Sequence, residues 1–366
     1  MRAFLLFLLL LLEIVPRPAY AAELEQSAAG LFETQRMEQG MSAREREISG
    51  AVPTADYDAQ NAMRRLWRAF AERLRQEAKG SAGCAASLLA LVFGAGFASA
   101  LSRDGKHRGV IDVCGACAAA VLLLGNVDSL VSETTEALFH LSDYSKAALP
   151  VVFTAAAAGG AVSSAGARYA SASLALDVMM SLSQKAVIPL IYAYLSLSIT
   201  DALFPNPLIA AVGRLTKWMA RITMTGSALA FSVCIGITSL ITTAVDASAV
   251  KTARMVISGA LPVVGGMVSD ASAAVLAAAN VVRSCTGAFG LVAVCAMCVG
   301  PFAVLSVRTI VFKAAAAAAD SVQSARLHSL LGCVGDTVAM LMGLLGTCAV
   351  MLFLSFGSAM KAVGGL

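Results

Sequence analysis

The sequence contains little charge. Asp, Glu, Lys and Arg make up only 14% of its 366 residues, whereas hydrophobic residues make up 58%, and the mean hydropathy is +0.77. A soluble domain carries about 25% charged residues, so this composition argues against a soluble protein and predicts an integral membrane protein. The formal net charge is only +4, and the basic residues are scattered among short segments, so we expect no nucleic acid as a partner.

The sequence also lacks the patterns that most enzymes and cofactor-binding proteins need. No nucleotide-binding loop of the form Gly-x-x-x-x-Gly-Lys-Ser/Thr occurs, so any energy coupling must come from a partner or an ion gradient. The three histidines are isolated from one another, and almost all of the nine cysteines lie in apolar segments. Two Cys-x-x-Cys pairs, Cys114–Cys117 and Cys295–Cys298, have no neighbouring His or cation that would favour a redox centre or half of a zinc site. We therefore expect no catalytic residues, no cofactor and no metal.

The first recognisable pattern along the chain is that of a signal peptide. Arg2 precedes an apolar run, and Ala19 and Ala21 supply the small residues that a signal peptidase needs, so residues 1–21 are predicted to be a signal peptide, with an uncleaved anchor as the alternative. Both place residues 22–80 on the extracytoplasmic side. This polar segment ends in an amphipathic helix that we expect to lie on the membrane surface, or otherwise against a partner. Its apolar residues are Met63, Leu66, Trp67, Phe70 and Leu74.

Residues 81–366 are predicted to form an all-α, multi-span transmembrane domain in contact with membrane lipid. The clearest span is Ala82–Leu101, which contains no charged residue and is long enough to cross a bilayer core of roughly 30 Å. The basic turn at 102–109 is expected on the cytoplasmic side, and the acidic stretch after Val127 is expected to be an extracytoplasmic loop. In total we expect about seven or eight membrane segments. These segments are drawn from nine candidate stretches, which are Ala82–Leu101, 109–127, 147–166, 169–184, 186–204, 222–245, 255–282, 284–307 and 337–360.

The segment at 255–282 is interrupted at its centre. Pro262, Gly265, Gly266 and Asp270 interrupt an otherwise apolar run. Proline removes a backbone donor, and paired glycines lower helix propensity, so the sequence predicts two half-helices that meet in a break. A break at membrane depth is tolerated where protein or a water-filled cavity satisfies the backbone. These residues are therefore candidates for a pore or binding site, with a structural kink as the alternative, and the segment either crosses the membrane or re-enters it.

Acidic and small residues supply the remaining candidates. An ionisable group at membrane depth is costly, so Asp177 is a candidate intramembrane acid for an ion site, a cavity or a structural pair. The other acids within or at the edges of apolar segments are Asp112, Asp201, Asp246 and Asp270. Small residues crowd the predicted spans, as around Gly159 and Gly160, and such faces drive close helix packing in lipid. We therefore expect a tightly packed bundle or a multi-subunit assembly, with Pro150 and Pro189 as further packing or kink candidates.

Several of these stretches, taken in order, resemble one protein family. The region Lys251–Ala271 is similar to a family pattern of a basic residue, Thr-Ala, a Gly, then Ile/Leu-Pro-Val, a Gly and a final Ser/Thr-Asp-Ala. The resemblance continues upstream and downstream, at Leu149-Pro150, Gly159–Ser163, Ile188–Ile191, Gly287–Gly290 and Pro301. The sequence thus resembles the stage III sporulation protein AE family of endospore-forming bacteria. It departs from that pattern at Val322–Leu330, where family members carry a Pro-Leu-Gly turn.

The resemblance implies a multi-pass protein of the mother-cell membrane, which becomes the outer forespore membrane after engulfment. It implies membership of a trans-envelope channel needed for late forespore gene expression. The implied partners are the other proteins of the stage III operon, including a secretion-type ATPase and ring-forming proteins, and a forespore membrane protein across the intermembrane space. The resemblance carries over no catalytic residues. Two alternatives stay open: a stand-alone secondary transporter that uses intramembrane Asp residues, and a non-conducting membrane scaffold.

Overall fold

A computed structural model describes residues 35–49, 59–101, 105–158, 162–260, 265–322 and 324–360. Within these ranges, side chains are described except at 35, 59–60, 105–108, 162–164 and 243–283. The predicted signal peptide at 1–21 and two parts of the predicted polar segment, residues 22–34 and 50–58, lie outside the described residues. Three of the candidate site residues, Gly159, Gly160 and Pro262, lie outside them as well.

The described chain is helical throughout and contains no strand. In chain order its helices are α1 (Gln35–Gln39), α2 (Ala43–Ser49), α3 (Ala59–Gly80), α4 (Ala82–Leu101), α5 (Gly105–Ala158), α6 (Val162–Leu182), α7 (Ile188–Leu203), α8 (Pro207–Ala260), α9 (Gly265–Ser321) and α10 (Ala325–Met360). A π-helical turn at Ser183–Val187 joins α6 to α7. The predicted all-α class is confirmed.

Six stretches of the described helices are long and apolar enough to cross a membrane. They are Ala82–Leu101, Gly109–Ala158, Ala165–Leu203, Pro207–Thr242, Ser284–Ser321 and Ala325–Met360. The chain is therefore a multi-pass membrane protein. At 1.5 Å per residue, the 54 residues of α5 extend over about 81 Å, well beyond a hydrocarbon core of roughly 30 Å, so the long helices continue past the membrane.

Two pairs of predicted spans are merged in the structure. The spans expected at 109–127 and 147–166 belong largely to the single helix α5, and those at 169–184 and 186–204 are joined by the π-helical turn. The acidic stretch after Val127 was expected to be a loop, and this prediction is wrong because the stretch is helical. Its residues from Asp128 to Lys146 include no Gly or Pro, so charge alone does not interrupt the helix.

The centre of the bundle is a hairpin of α9 and α10. These two helices pack on each other more extensively than any other pair, and α5 packs on both of them. Phe289, Phe312 and Phe356 are fully buried there. Burying a large aromatic side chain removes the most apolar area per residue, so these side chains anchor the core around which α6, α7 and α8 are arranged.

Glycines allow the helices to approach closely at a few points. A Cβ on Gly96 of α4 would lie 1.7 Å from Val322 Cγ1, and one on Gly287 of α9 would lie 2.4 Å from Met360 Cγ. Only a residue without a side chain fits at the first of these contacts, because the obstructing atom belongs to a short β-branched residue. The close contacts agree with the expectation of small-residue packing.

The apolar face of the amphipathic helix α3 packs against helix α9 of the same chain. Ala62 and Leu66 are buried in a cluster with Val292, Ala296 and Val299 of α9, while Trp67 remains 50% exposed. Another helix of the same chain therefore covers this part of the apolar face, and a position of α3 on the membrane surface stays a prediction. Amphipathicity shows that one face of a helix is covered, but it does not show whether lipid or another helix covers it.

Candidate functional site

A cluster of charged side chains joins three of the apolar helices. Asp336 lies on α10, and its Oδ2 accepts a hydrogen bond from Lys217 Nζ of α8 at 2.5 Å. The other carboxylate oxygen, Oδ1, lies 3.7 Å from Lys313 Nζ of α9. One carboxylate is thus shared by two ammonium groups that come from two different helices.

The surroundings of this cluster explain how it forms. The Lys217 ammonium lies 5.3 Å from the centre of the Tyr194 ring of α7, a distance suited to a cation–π contact. Gly335 precedes Asp336, and a Cβ at Gly335 would lie 3.2 Å from Lys313 Cγ. The absence of a side chain at Gly335 therefore lets the Lys313 stem pass close to α10 on its way to the carboxylate.

The cluster is only partly shielded from the surroundings. The side chains of Lys217, Asp336 and Lys313 are 25%, 39% and 56% exposed. Ion pairs in water contribute little stability, but an unpaired charge at membrane depth is expensive, so intramembrane charges pair with one another. The arrangement ties α8 and α9 to α10 electrostatically, and two cations around one anion leave an excess positive charge.

A second polar junction is formed by Arg168 of α6, whose side chain is buried. Its Nε donates to Thr242 Oγ1 of α8, its Nη2 donates to the Ser239 carbonyl at 3.4 Å, and its Nη1 donates to the Ser358 carbonyl of α10 at 3.3 Å. A guanidinium presents several donors in a rigid plane, so one side chain can bind groups of two neighbouring helices at once. Arg168 therefore connects α6, α8 and the last turn of α10.

A third charged group lies where α3 approaches α5 and α9. Arg308 of α9 has two buried nitrogens, Nε and Nη1, without a hydrogen-bond partner in the described part of the chain. Arg308 lies close enough to Glu133 of α5 for their charges to interact, as do Arg73 and Glu77 of α3. Buried donors nearly always have a hydrogen-bond partner. The Arg308 guanidinium is therefore an exception within the described part of the chain.

The structure places Asp177 at the surface and not inside the core. It is exposed on α6, beside a cavity of about 80 Å³ that Lys146, Tyr169 and Ser173 also line. Two other predicted acids accept hydrogen bonds, one from a distant part of the chain and one from a nearby residue. Asp112 accepts one from Ser324 Oγ at 2.7 Å, and Asp201 accepts one from the Asn206 backbone amide at 3.2 Å.

The two candidate prolines behave differently. Pro150 lies inside α5, which continues through it. Pro189 lies near the start of α7, directly after the π-helical turn. Since proline supplies no amide hydrogen and its ring crowds the preceding turn, a π-helical turn before it relieves that crowding. The predicted irregularity at Pro189 is therefore present as a change of helix type.

The structure describes only part of the segment at 255–282, for which a break was predicted. Helix α8 ends at Ala260 and α9 begins at Gly265. Gly265, Gly266 and Asp270 belong to the first turns of α9, where only the backbone is described, and Pro262 falls between the two helices. A pore or binding role for these residues stays a prediction.

Asp336 is the main residue that the sequence analysis missed. The last span was predicted to begin at Thr337, which placed Asp336 just outside the membrane segment. The helix actually begins at Ala325, so Asp336 lies within a long apolar run. A carboxylate between Gly335 and Thr337 in such a run was the available signal. Its partners, Lys217 and Lys313, could not be identified from the sequence, because ion pairs between helices leave no periodic pattern.

In the described ranges, no group of three or more His, Cys, Asp or Glu side chains is placed to hold a metal ion.

The comparisons with known proteins point to one family. The family model for stage III sporulation protein AE matches residues 54–362. The stage III sporulation protein AE of Bacillus subtilis (strain 168) is 22% identical over 240 residues, which are 64% of this chain and 59% of that relative. The alignment thus spans less than two thirds of the relative's length. No solved structure matches the chain.

Proposed function

The chain belongs to the stage III sporulation protein AE family, and from this premise we propose that it is a membrane component of the channel that connects the mother cell to the forespore. The family assigns the chain to sporulation. We propose that the protein lies in the mother-cell membrane, which becomes the outer forespore membrane, with residues 22–80 on the extracytoplasmic side. Its proposed role is to sustain late forespore gene expression.

One observation carries the proposal further than the family name. Lys217 of α8 and Lys313 of α9 share the carboxylate of Asp336, so three apolar helices meet at charged groups that lipid alone would not favour. A bundle that is held partly by shared ion pairs can exchange contacts between helices, because the carboxylate can keep one lysine while it releases the other. We infer that this cluster sets the relative position of α8, α9 and α10 in the channel.

The proposal requires partners. The sequence has no phosphate-binding loop, so a cytoplasmic secretion-type ATPase supplies the energy, ring-forming proteins extend the passage, and a forespore membrane protein completes it across the intermembrane space. The predicted break in the segment at 255–282 is the proposed place where the passage is lined, with Pro262, Gly265, Gly266 and Asp270 as its first candidates.

The test begins with a functional fluorescent fusion in the source organism during sporulation. We expect signal confined to the mother-cell membrane around the forespore, arising during engulfment. Asp336→Asn should lower late forespore gene expression about tenfold or more, since a neutral amide leaves both lysines without their counter-ion. Asp320→Asn is the matched control, because Asp320 is an exposed aspartate near the end of α9. Asp336→Glu should restore part of the expression, and immunoblotting verifies that each variant is present.

Two other results would contradict the proposal in different ways. Uniform membrane signal in growing cells, with solute uptake by the purified protein in liposomes that Asp270→Asn abolishes, would identify a stand-alone transporter. Correct localisation with full function of both Asp336→Asn and Gly265→Leu would identify a scaffold that only recruits the other proteins.

A further inference from the structure

Helix α3 exposes a row of basic side chains. Arg64, Arg68, Arg75 and Lys79 are exposed, and their spacing of 4, 7 and 4 residues places them on one face of the helix. We call these four residues the basic stripe. The opposite face of α3 is occupied, since Ala62 and Leu66 are buried against α9. At 1.5 Å per residue the basic stripe is about 22 Å long.

Helix α5 exposes acidic side chains over the same length. Asp128, Glu136 and Asp143 line an open groove of about 700 Å³ between α5 and the start of α7, together with Tyr192, whose hydroxyl donates to Asp128 Oδ1 at 3.0 Å. We call this feature the acidic groove. From Asp128 to Asp143 it also extends over about 22 Å. The basic stripe and the acidic groove therefore match in length and are opposite in charge.

The two features lie at the same height along the bundle. Cys84, just after α3, contacts Asn126 of α5, with Sγ and Oδ1 3.9 Å apart, and Arg73 and Glu77 of α3 interact with Glu133. At the other end, Leu66 lies in one buried cluster with Val292 of α9, and a Cβ on the nearby Gly290 would lie 3.1 Å from Phe356 Cε1. The ring of Phe356 lies 6.4 Å from that of Tyr144 in α5. Helices α3 and α5 thus run in opposite directions, with Lys79 near the height of Asp128 and Arg64 near that of Asp143.

The charges in the groove are held only weakly by their own chain. Lys146 Nζ lies 3.7 Å from Asp143 Oδ1, and His140 Nε2 lies 4.0 Å from Glu136 Oε1, with all four side chains more than half exposed. Exposed pairs of this kind contribute roughly 0–1 kcal/mol. A second set of cations can therefore replace them at little cost.

We propose that the basic stripe of one copy of this chain docks against the acidic groove of a second copy. Because the stripe on α3 and the groove on α5 and α7 are different surfaces of the chain, the contact is heterologous, and it repeats from copy to copy. Because they lie at the same height, a rotation about the bundle axis is enough to bring Lys79 towards Asp128 and Arg64 towards Asp143. The repeated contact produces an arc or ring of copies that all point the same way in the membrane. This inference is independent of the sporulation role.

Cross-linking in membranes tests the contact directly. Two differently tagged full-length chains, one with Arg68→Cys and one with Glu136→Cys, are produced together and treated with a short bis-maleimide. We expect a mixed adduct that is recovered through one tag and detected through the other. Ser87→Cys and Thr225→Cys are the matched controls, since both residues are exposed on other helices. The chain without substitutions shows what the native cysteines contribute.

Charge reversal provides the second measurement. Arg68→Glu or Glu136→Arg alone should lower co-purification of the two tagged chains about tenfold. Chains that carry both changes should recover it, because the reversed charges again attract each other. A purely structural effect of either change would not be rescued by the other.

Three outcomes would overturn the proposal. Adduct no stronger than in the control pairs would show that the stripe and the groove do not meet. Loss of association by Arg68→Glu without any effect of Glu136→Arg, together with weaker binding to phosphatidylglycerol vesicles, would show that the stripe binds lipid headgroups. Equal association of all variants would place the contact between copies elsewhere. None of these readouts involves forespore gene expression, so the contact can fail while the proposed function holds.

Discussion

Helices α9 and α8 both contain a stretch apolar enough to cross a membrane, but they differ in their surroundings. Of the most apolar 18 residues of each stretch, 83% are buried in α9 and only 17% in α8. Helix α4 also buries 17% and α10 buries 56%. The comparison teaches that hydropathy identifies a membrane segment without telling whether lipid or protein surrounds it.

Residue size accounts for part of the difference. Lipid solvates Leu and Trp as well as a protein core does, so helix association depends on close packing. Helix α9 carries Gly287, Ala288 and Gly290 where it meets α10, whereas α8 directs Trp218 and Leu240 outwards, and these are 58% and 77% exposed. Small residues therefore line the contact between α9 and α10, and large residues face outwards on α8.

The largest effect is expected from truncating matched aromatic residues in the two regions. Phe312 is fully buried in α9 and Phe97 of α4 is 69% exposed. Phe312→Ala should destabilise the protein by about 3–5 kcal/mol, because it removes a buried ring and leaves a cavity. Phe97→Ala should change the stability by less than about 0.5 kcal/mol. Thermal unfolding in detergent, followed by size-exclusion chromatography, measures both, and equal losses would show that α4 is also a core helix.

A smaller effect is expected from adding a side chain at Gly96, where α4 is closely packed. A Cβ at Gly96 would meet Val322, whereas one at Gly94 would have nothing within 4 Å. Gly96→Leu should cost about 1–3 kcal/mol through overpacking, while Gly94→Leu should have little effect. The level of folded protein in membranes distinguishes them. If both variants were equally stable, the close contact between Gly96 and Val322 would not contribute to stability.

The smallest effect concerns an exposed ion pair. Lys146 and Asp143 interact at 3.7 Å with side chains that are 62% and 77% exposed. Lys146→Ala should change the stability by about 0–0.5 kcal/mol, measured by the same thermal unfolding. A loss of several kcal/mol would mean that this part of α5 is enclosed, and the contrast between buried and exposed regions would then have to be redrawn.

Some features of the candidate site could be predicted from the sequence, and others could not. The irregularity at Pro189 followed from the chemistry of proline, and the structure has a π-helical turn there. The cluster of Asp336, Lys217 and Lys313 was not predictable, because its members are separated by up to 119 residues and meet only when three helices pack. Asp177 was a reasonable candidate from its sequence position, but the helix turns it to the surface.

Local features of the sequence are enough to identify a helical membrane protein of the stage III sporulation protein AE family. Apolar length, scarcity of charge and the order of short motifs are local properties, so they can be read without a structure. The tertiary structure alone decided that α9 and α10 form the core, that α3 packs on α9, and which charges pair. These outcomes depend on which helix faces meet, and since hydrocarbon and protein interior are similarly apolar, hydropathy does not separate them.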